Sequence, residues 1–356
     1  MRRTGARRSA SSDRAVVYHV GRHGEVAGGM TQVVNSYAAW SFDEFNVRVI
    51  ESRDGSKGIR ALAVFSGAVA SIFSLNRSSA PVVVVHLSQG GSFIREGVLL
   101  RLAKSRRLAT VAQLHGSSFA QFAQRKPQRV RKVLAAADVV HVLSEETRDA
   151  VSLLLPGAHI ELLVNAVMPG KSTKKEKIVV FGGAVTRRKG VDILLAAWHQ
   201  MGPAFPDWTL KLAGPHLEPE LLEDLPKNVE VLGAIPHAHL MSLLEQSAVA
   251  VLPSLDEAMP MFILEAMARR NCVIATPVGA VGTLLENGSG CLVAPGSVTD
   301  LTNALEIALG DSALRSDIAA KGNALFARTY SSDVVMPALE RLWSFALTSN
   351  QSRQSL

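Results

Sequence analysis

Residues 81–88 read PVVVVHLS. Four consecutive valines leave no position for a water-facing side, so this strand has to be covered on both faces. Other strands of the same kind surround it: AVVYHV (15–20), NVRVIES (46–52), ATVAQLHG (109–116), ADVVHVLS (137–144) and IELLVNAV (160–167). Helix-length stretches separate them, among them TQVVNSYAAW, the apolar run 61–75 and a basic segment at about 94–106. Covered strands alternating with helices predict an α/β fold with a doubly wound parallel sheet. Right-handed crossovers then bring every strand-to-helix turn to one edge of it. The run ALAVFSGAVASIFSL at 61–75 is too short and too Ser-rich for a membrane span and is expected as a buried helix.

The pattern breaks at MPGKSTKKEK (168–177), where Pro, Gly, Ser and lysines read as a linker, and then restarts. IVVFGG (178–183), TLKLAG (209–214), VEVLGA (229–234), VAVLP (249–253), CVIATPV (272–278) and GCLVAP (290–295) are the strands of a second half. The expected organisation is a basic disordered tail over 1–14, a Rossmann-like domain over 15–168, a linker over 169–177 and a second Rossmann-like domain over 178–333. The apolar helix 334–347 has no strand after it, and the polar tail TSNQSRQSL is expected to be disordered.

Composition agrees with helices on parallel strands: apolar residues make up 47% of the chain and aromatics only 5%. Two cysteines, Cys272 and Cys291, form neither a disulfide framework nor a metal-ligand spacing, which fits a reducing compartment. The basic start MRRTGARRSASSDR lacks a following apolar stretch, so a cytoplasmic location is expected. The net charge of +7 suits nucleic acid, an anionic membrane surface or a phosphate-bearing ligand. Basic and aromatic residues do not interleave, so no nucleic-acid partner is expected. The clusters REGVLLRLAKSRR (95–107) and QRKPQRVRKVL (124–134) are either solvated helix faces or a peripheral contact with anionic lipid on the inner membrane face.

In an open parallel sheet, ligands bind beyond the carboxyl ends of the strands, so chemistry is sought at those turns. After VAVLP comes DEAMPMFILEAMA (256–268), an apolar run bracketed by Glu257 and Glu265. Pro260 is placed to open a helix. The amides of Ala258, Met259, Met261 and Phe262 then face an anion- and hydroxyl-binding helix start. Glu257 in the loop would take sugar hydroxyls and Glu265 in the helix ribose hydroxyls. Against this stands an electrostatic cap at Glu257 and a solvated Glu265. FGGAVTRRKGV (181–191) ends a strand in Gly-Gly and either offers Arg187, Arg188 and Lys189 to a diphosphate, without the order of a Walker loop, or is a solvated basic turn. In GRHGEVAGGM, Gly28 and Gly29 allow close approach of backbone to a ligand. LHGSS puts His115 at the end of a strand.

Taken in order, these turns resemble the retaining GT-B glycosyltransferases, specifically the GT4-like group (glycosyl transferases group 1). EAMPMFILE with the following AMA is similar to that family's E-G-F-P-L-x-x-L-E-A-M-A. The Gly-Gly turn at 28–29, His115-Gly116, VNAV, Lys189-Gly190 and GSGCLVAPGS match in sequence order over nearly the whole chain. The resemblance implies two Rossmann-like domains facing across a cleft, with the last helix crossing back onto the first. It implies a nucleotide diphosphate sugar as donor and a saccharide or lipid-linked acceptor, in surface polysaccharide or glycolipid assembly. It also implies retention of the anomeric configuration, with neither metal nor other cofactor. Carried over, Lys189 binds the diphosphate, Glu257 the donor sugar, Glu265 the ribose, and His115 contacts the sugar near the reacting centre. Two positions depart from the family: Ala184 stands where an arginine is usual, and Thr283 where a glutamate is usual. They keep open a degenerate protein that binds nucleotide sugar without transfer. An epimerase of related fold is a further alternative, and it would need catalytic carboxylates in the first half, where only His115 and Glu25 stand at the turns.

Overall fold

The computed structural model describes residues 14–24 and 28–354. The leading basic segment lies outside them except for Arg14, and so does Glu25. The first sheet contains β1 (Ala15–Gly21), β2 (Phe45–Glu51), β3 (Val82–Leu87), β4 (Ala109–Leu114), β5 (Val139–Val142) and β6 (Ile160–Leu162). Their order is β2-β1-β3-β4-β5-β6, with every neighbour parallel. The intervening helices are α1 (Gly29–Ala39), α2 (Gly58–Ser74), α3 (Gly91–Ser105), α4 (Phe119–Arg125), α5 (Pro127–Leu134) and α6 (Glu145–Leu154). The four valines behave as their lack of alternation requires: Val82 and Val84 join one apolar core, Val83 and Val85 the core on the opposite face.

The second sheet contains β7 (Glu176–Gly182), β8 (Thr209–Ala213), β9 (Val229–Gly233), β10 (Ser247–Leu252), β11 (Cys272–Ala275) and β12 (Cys291–Leu292). Its order, β12-β11-β10-β7-β8-β9, is again all parallel. Its helices are α7 (Val191–Met201), α8 (His237–Gln246), α9 (Met261–Ala268), α10 (Val281–Leu284), α11 (Val298–Gly310) and α12 (Ser312–Thr329), and α13 (Ser332–Gln354) closes the chain. Strand order reverses between β1 and β3 in the first sheet and between β7 and β10 in the second, and crevices open at such reversals.

The chain passes between the domains twice, and the two passages are joined: Val167 pairs with Ser331, with hydrogen bonds from Val167 N–H to the Tyr330 carbonyl and from Ser332 N–H to the Val167 carbonyl. α13 then lies over β3, β4 and β5. Its Trp343 is buried against His19, Phe42 and Phe45 of the first domain.

Two expectations are corrected. The polar tail is helical as far as Gln354, because Asn350 Nδ2 donates to the Arg107 carbonyl (3.0 Å) and the Arg353 guanidinium pairs with buried Asp138 (3.0 Å). The apolar run 61–75 is a helix, but it is not buried. Among the seventeen residues of α2 only Ala68 and Ile72 are fully covered, while Ile59, Leu62 and Phe73 face outward.

Candidate active site

The reversal between β7 and β10 puts two loops side by side. The loop after β7 ends in a single tight turn, Arg187–Lys189, capped by Thr186 Oγ1, which accepts from Lys189 N–H (3.3 Å). Gly190 follows at φ +71°, and a Cβ there would lie 2.0 Å from the Pro253 carbonyl oxygen. Only glycine permits both that backbone and that approach. Leu255 N–H donates to the Arg188 carbonyl (2.9 Å), joining the two loops directly. This brings Lys189 against Glu257. Lys189 Nζ and Glu257 Oε1 form an ion pair, and Ser254 Oγ donates to the same oxygen (2.7 Å). Their side chains keep only 15% and 10% of their accessible surface, so each charge is held largely by the other.

The Glu257 backbone is held from behind. Gly279, at φ +56°, lets the Glu257 carbonyl approach to where its Cβ would be, and Ala280 N–H donates to the Ala258 carbonyl (2.8 Å). The chain then enters α9. Pro260 does not open this helix as expected: its ψ of 120° is extended, which makes it the residue ahead of the first turn. The Met261 and Phe262 amides precede the first turn bond, from Ile263 N–H to the Pro260 carbonyl, and form the free start of the helix. Every residue of α9 is buried, Glu265 included. A carboxylate in an apolar helix needs a partner, and Glu265 Oε1 lies 2.7 Å from Nε2 of His237 at the start of α8.

The facing wall comes from the first domain. α1 starts at Gly29 opposite α9; a Cβ on Gly29 would lie 3.9 Å from Met261 Cγ. His115 follows β4, with its Nε2 2.8 Å from Nδ1 of His86 on β3. His86 Nε2 is in turn 2.8 Å from Nδ1 of His19 on β1. Burial pushes His115 and His19 down to about 3 and His86 well below its ordinary value, so the three imidazoles are neutral at physiological pH. Each nitrogen between them either donates or accepts, and the engagement of His115 Nε2 leaves Nδ1 as its nitrogen for the cleft. Across the opening, Ser117 Oγ donates to Asp256 Oδ2 (2.9 Å).

His115, Gly29, Arg188, Lys189, Glu257, Ala258, Met259, Met261, Phe262 and Glu265 thus line one cleft of about 1010 Å³ between the domains. Arg187 is not brought there. Its guanidinium pairs with Glu218 and Glu220 (3.1 and 3.0 Å), because successive residues of a tight turn point in different directions. Arg188 donates to the Asp256 carbonyl (2.9 Å) at the edge of the cleft. Ala184 lines it with a methyl group where the resembling family has an arginine, whereas Thr283 is exposed on α10. Among the lining residues not singled out from the sequence are His237 and Asn165. The motif VNAV contains Asn165, but nothing local marks His237, which owes its place to Glu265.

These two facing sheets and the cleft between their carboxyl edges define a GT-B protein. The solved structures agree on the fold. Sucrose-phosphate synthase from Thermosynechococcus elongatus superposes with a TM-score of 0.72 at 18% identity, over 93% of this chain and 98% of that one. Anabaena HepE in complex with UDP and glucose gives 0.72 at 17%, over 93% and 100%. Residues 176–311 match the family model Glycosyl transferases group 1. That match lies within the second domain. Among curated relatives, the alpha-D-kanosaminyltransferase of Streptomyces kanamyceticus is 30% identical over 161 residues, 43% of this chain. The match spans 42% of that relative's length, less than half of it.

Proposed function

We propose that the protein transfers a sugar from a nucleoside diphosphate sugar to an acceptor hydroxyl, with retention of anomeric configuration, in surface polysaccharide or glycolipid assembly. The observation that carries this reading is the Lys189–Glu257 pair at the β7/β10 reversal, beside the start of α9 and one helical segment from Glu265. A diphosphate entering here meets an ammonium, the Arg188 guanidinium and two facing helix starts, α1 and α9. On its arrival the Lys189 ammonium turns from Glu257 to phosphate oxygen, which frees the Glu257 carboxylate for the hydroxyls of the sugar. Glu265, oriented by His237, accepts from the ribose hydroxyls. The neutral His115 hydrogen-bonds the sugar near its anomeric carbon.

The bond from the anomeric carbon to the diphosphate oxygen breaks as the bond to the acceptor oxygen forms on the same face. The acceptor proton passes to the departing diphosphate oxygen. Fixed amides and cations already aimed at that oxygen stabilise the charge developing on it. In this reading the diphosphate charge is carried by side chains and helix starts, without a metal.

One observation favours a second reading, binding without transfer: Ala184 leaves a methyl group in the cleft wall, one cation fewer than in the resembling family. The epimerase reading needs carboxylates of the first domain in the cleft, and its candidate there, Glu25, lies outside the described residues. A thermal-shift screen against UDP, GDP, ADP and dTDP, followed by product analysis with the matching nucleotide sugars, separates these. The transferase reading expects a shift with a nucleoside diphosphate, at about 2.7 kcal/mol for ligand at a hundredfold excess over Kd, and release of nucleotide that requires an acceptor. A shift with no transfer to any acceptor supports the second reading. No shift at all overturns both.

A further inference from the structure

Between Lys57 and Ala137 the chain carries thirteen lysines and arginines and one acidic residue, Glu96. That segment is +12, whereas the whole chain is +7, so the rest of the molecule is net negative and the positive charge is segregated. Glu96 is fully buried and pairs with Arg95 (3.0 Å), so it offsets one of the thirteen. The segment supplies α2, α3 and α5, which lie side by side on one face of the first sheet, α2 against α3 and α3 against α5.

The same face carries apolar side chains that no described residue covers. On α2, Ile59, Leu62, Ala70 and Phe73 share one helical face, with Ile59 88%, Leu62 65% and Phe73 60% exposed. Ile94 and Val98 continue the stripe on α3. The Arg106 guanidinium lies over the Phe73 ring at 4.5 Å, so basic groups border the stripe directly. Arg101 lies one turn beyond Val98, and α5 adds the exposed Arg129, Arg131 and Lys132. Among the described residues no helix is long and apolar enough to cross a membrane. A bare apolar stripe rimmed by cations is the pattern of a helix lying in the plane of a bilayer interface. A polyanion such as RNA would use the arginines and leave Leu62 and Phe73 in water. A second copy of the same face would meet like charge.

The stripe also has a direction. α2 and α3 both start beyond the carboxyl ends of their strands, β2 and β3, on the cleft side of the sheet. The loop ahead of α2 is joined there to the start of α3 by Arg53 Nη1 donating to Ser92 Oγ (3.4 Å). Ile59, Leu62 and Ile94 therefore stand at the cleft end of the face.

We propose that the α2–α3–α5 face docks on an anionic phospholipid bilayer with the Ile59–Leu62–Phe73 stripe set among the headgroups, and that the acceptor reaching the cleft is lipid-linked. The docking stands on the surface alone, whereas the lipid-linked acceptor rests on the transferase reading above. The test is flotation of the full chain with phosphatidylcholine vesicles, with and without phosphatidylglycerol. The protein is expected to partition onto the anionic vesicles and not the neutral ones. Leu62→Glu together with Phe73→Glu is expected to reduce partitioning by about tenfold or more, since each loses buried apolar surface. Arg101→Glu with Lys132→Glu should do the same. Circular dichroism and the nucleotide thermal shift, both independent of this face, verify that the variants are folded.

No partitioning of the wild type, with its nucleotide shift intact, overturns the docking and leaves the transferase reading standing. Wild-type partitioning by the Leu62/Phe73 variant also overturns it, since the face would then be a plain polyanion site. Loss of self-association in that variant without any vesicle binding overturns it in favour of a second copy. Vesicle binding without a nucleotide shift keeps the docking and removes the transferase reading.

Discussion

His86 Nδ1 and His115 Nε2 lie 2.8 Å apart, their rings stacked with centroids 5.0 Å apart, although His86 is on β3 and His115 just past the end of β4. His86 is also bonded to His19, so the tautomer of His115 is coupled to the proton positions along the series. His86→Phe keeps a ring in the space and removes both bonds. Its expected effect is a fall in turnover of about fivefold to tenfold, the scale of one lost hydrogen bond of about 1–1.5 kcal/mol, with nucleotide affinity unchanged. His86→Asn retains a polar group on the His115 side and should recover part of the loss. Nitrogen NMR of the His115 ring tautomer is the decisive readout: the same tautomer in wild type and His86→Phe would mean that His86 does not position it.

The same histidines, with the buried His141 of β5, give stability a pH dependence. Burial depresses His19 and His115 to about 3 and His141 to about 4, against an unfolded value of 6.5. Between those values the unfolded chain binds more protons than the folded one, so stability is full above pH 6.5 and is lost as pH falls toward 3–4. Each titrating imidazole contributes at most about 1.4 kcal/mol per pH unit. The melting temperature should therefore fall from pH 7 to pH 5, and less so in His86→Phe. A melting temperature independent of pH across that window would contradict the buried neutral assignment.

Lys189 and Glu257 are expected to be coupled beyond their separate contributions. Lys189→Ala should weaken nucleoside diphosphate binding by about tenfold to a hundredfold, for the loss of a charged hydrogen bond of about 1.5–3 kcal/mol. Glu257→Ala should lower turnover by about a hundredfold. In thermal unfolding each single variant strands the other's desolvated charge, so the double variant should be less destabilised than the sum of the two. Additive losses would show that solvent, not the pairing, satisfies each group.

Ala184 and Arg187 make opposite predictions at one loop. Ala184 lines the cleft, so Ala184→Arg is expected to tighten nucleoside diphosphate binding by about tenfold. Arg187 faces Glu218 and Glu220, so Arg187→Ala should change that affinity by no more than about twofold. Titration calorimetry measures both, and a large loss in Arg187→Ala would place its guanidinium on the ligand.

What the sequence by itself determined is the architecture and the identity of the turns that matter. Strands sealed on both faces must be apolar throughout, and the alternation of such runs with helices admits little but two doubly wound sheets. The carboxyl ends of those strands are local features, so Glu257, Lys189 and His115 could be named from their own neighbourhoods. The tertiary structure decided what depends on distant partners. Arg187 and Arg188 are equivalent in the sequence, and only the position of Glu218 and Glu220 separates them. His237 joins the site because Glu265, twenty-eight residues away, needs a partner in an apolar helix. His19, His86 and His115 form a series only because strand order sets β1, β3 and β4 side by side. The apolar face of α2 stays uncovered because no later element among the described residues packs over it, and the polar tail becomes helix because Arg107 and Asp138 lie within its reach. Apolar pattern and turn chemistry act over a few residues and can be read in order, whereas pairing and exposure are set by which surfaces the packed sheets bring together.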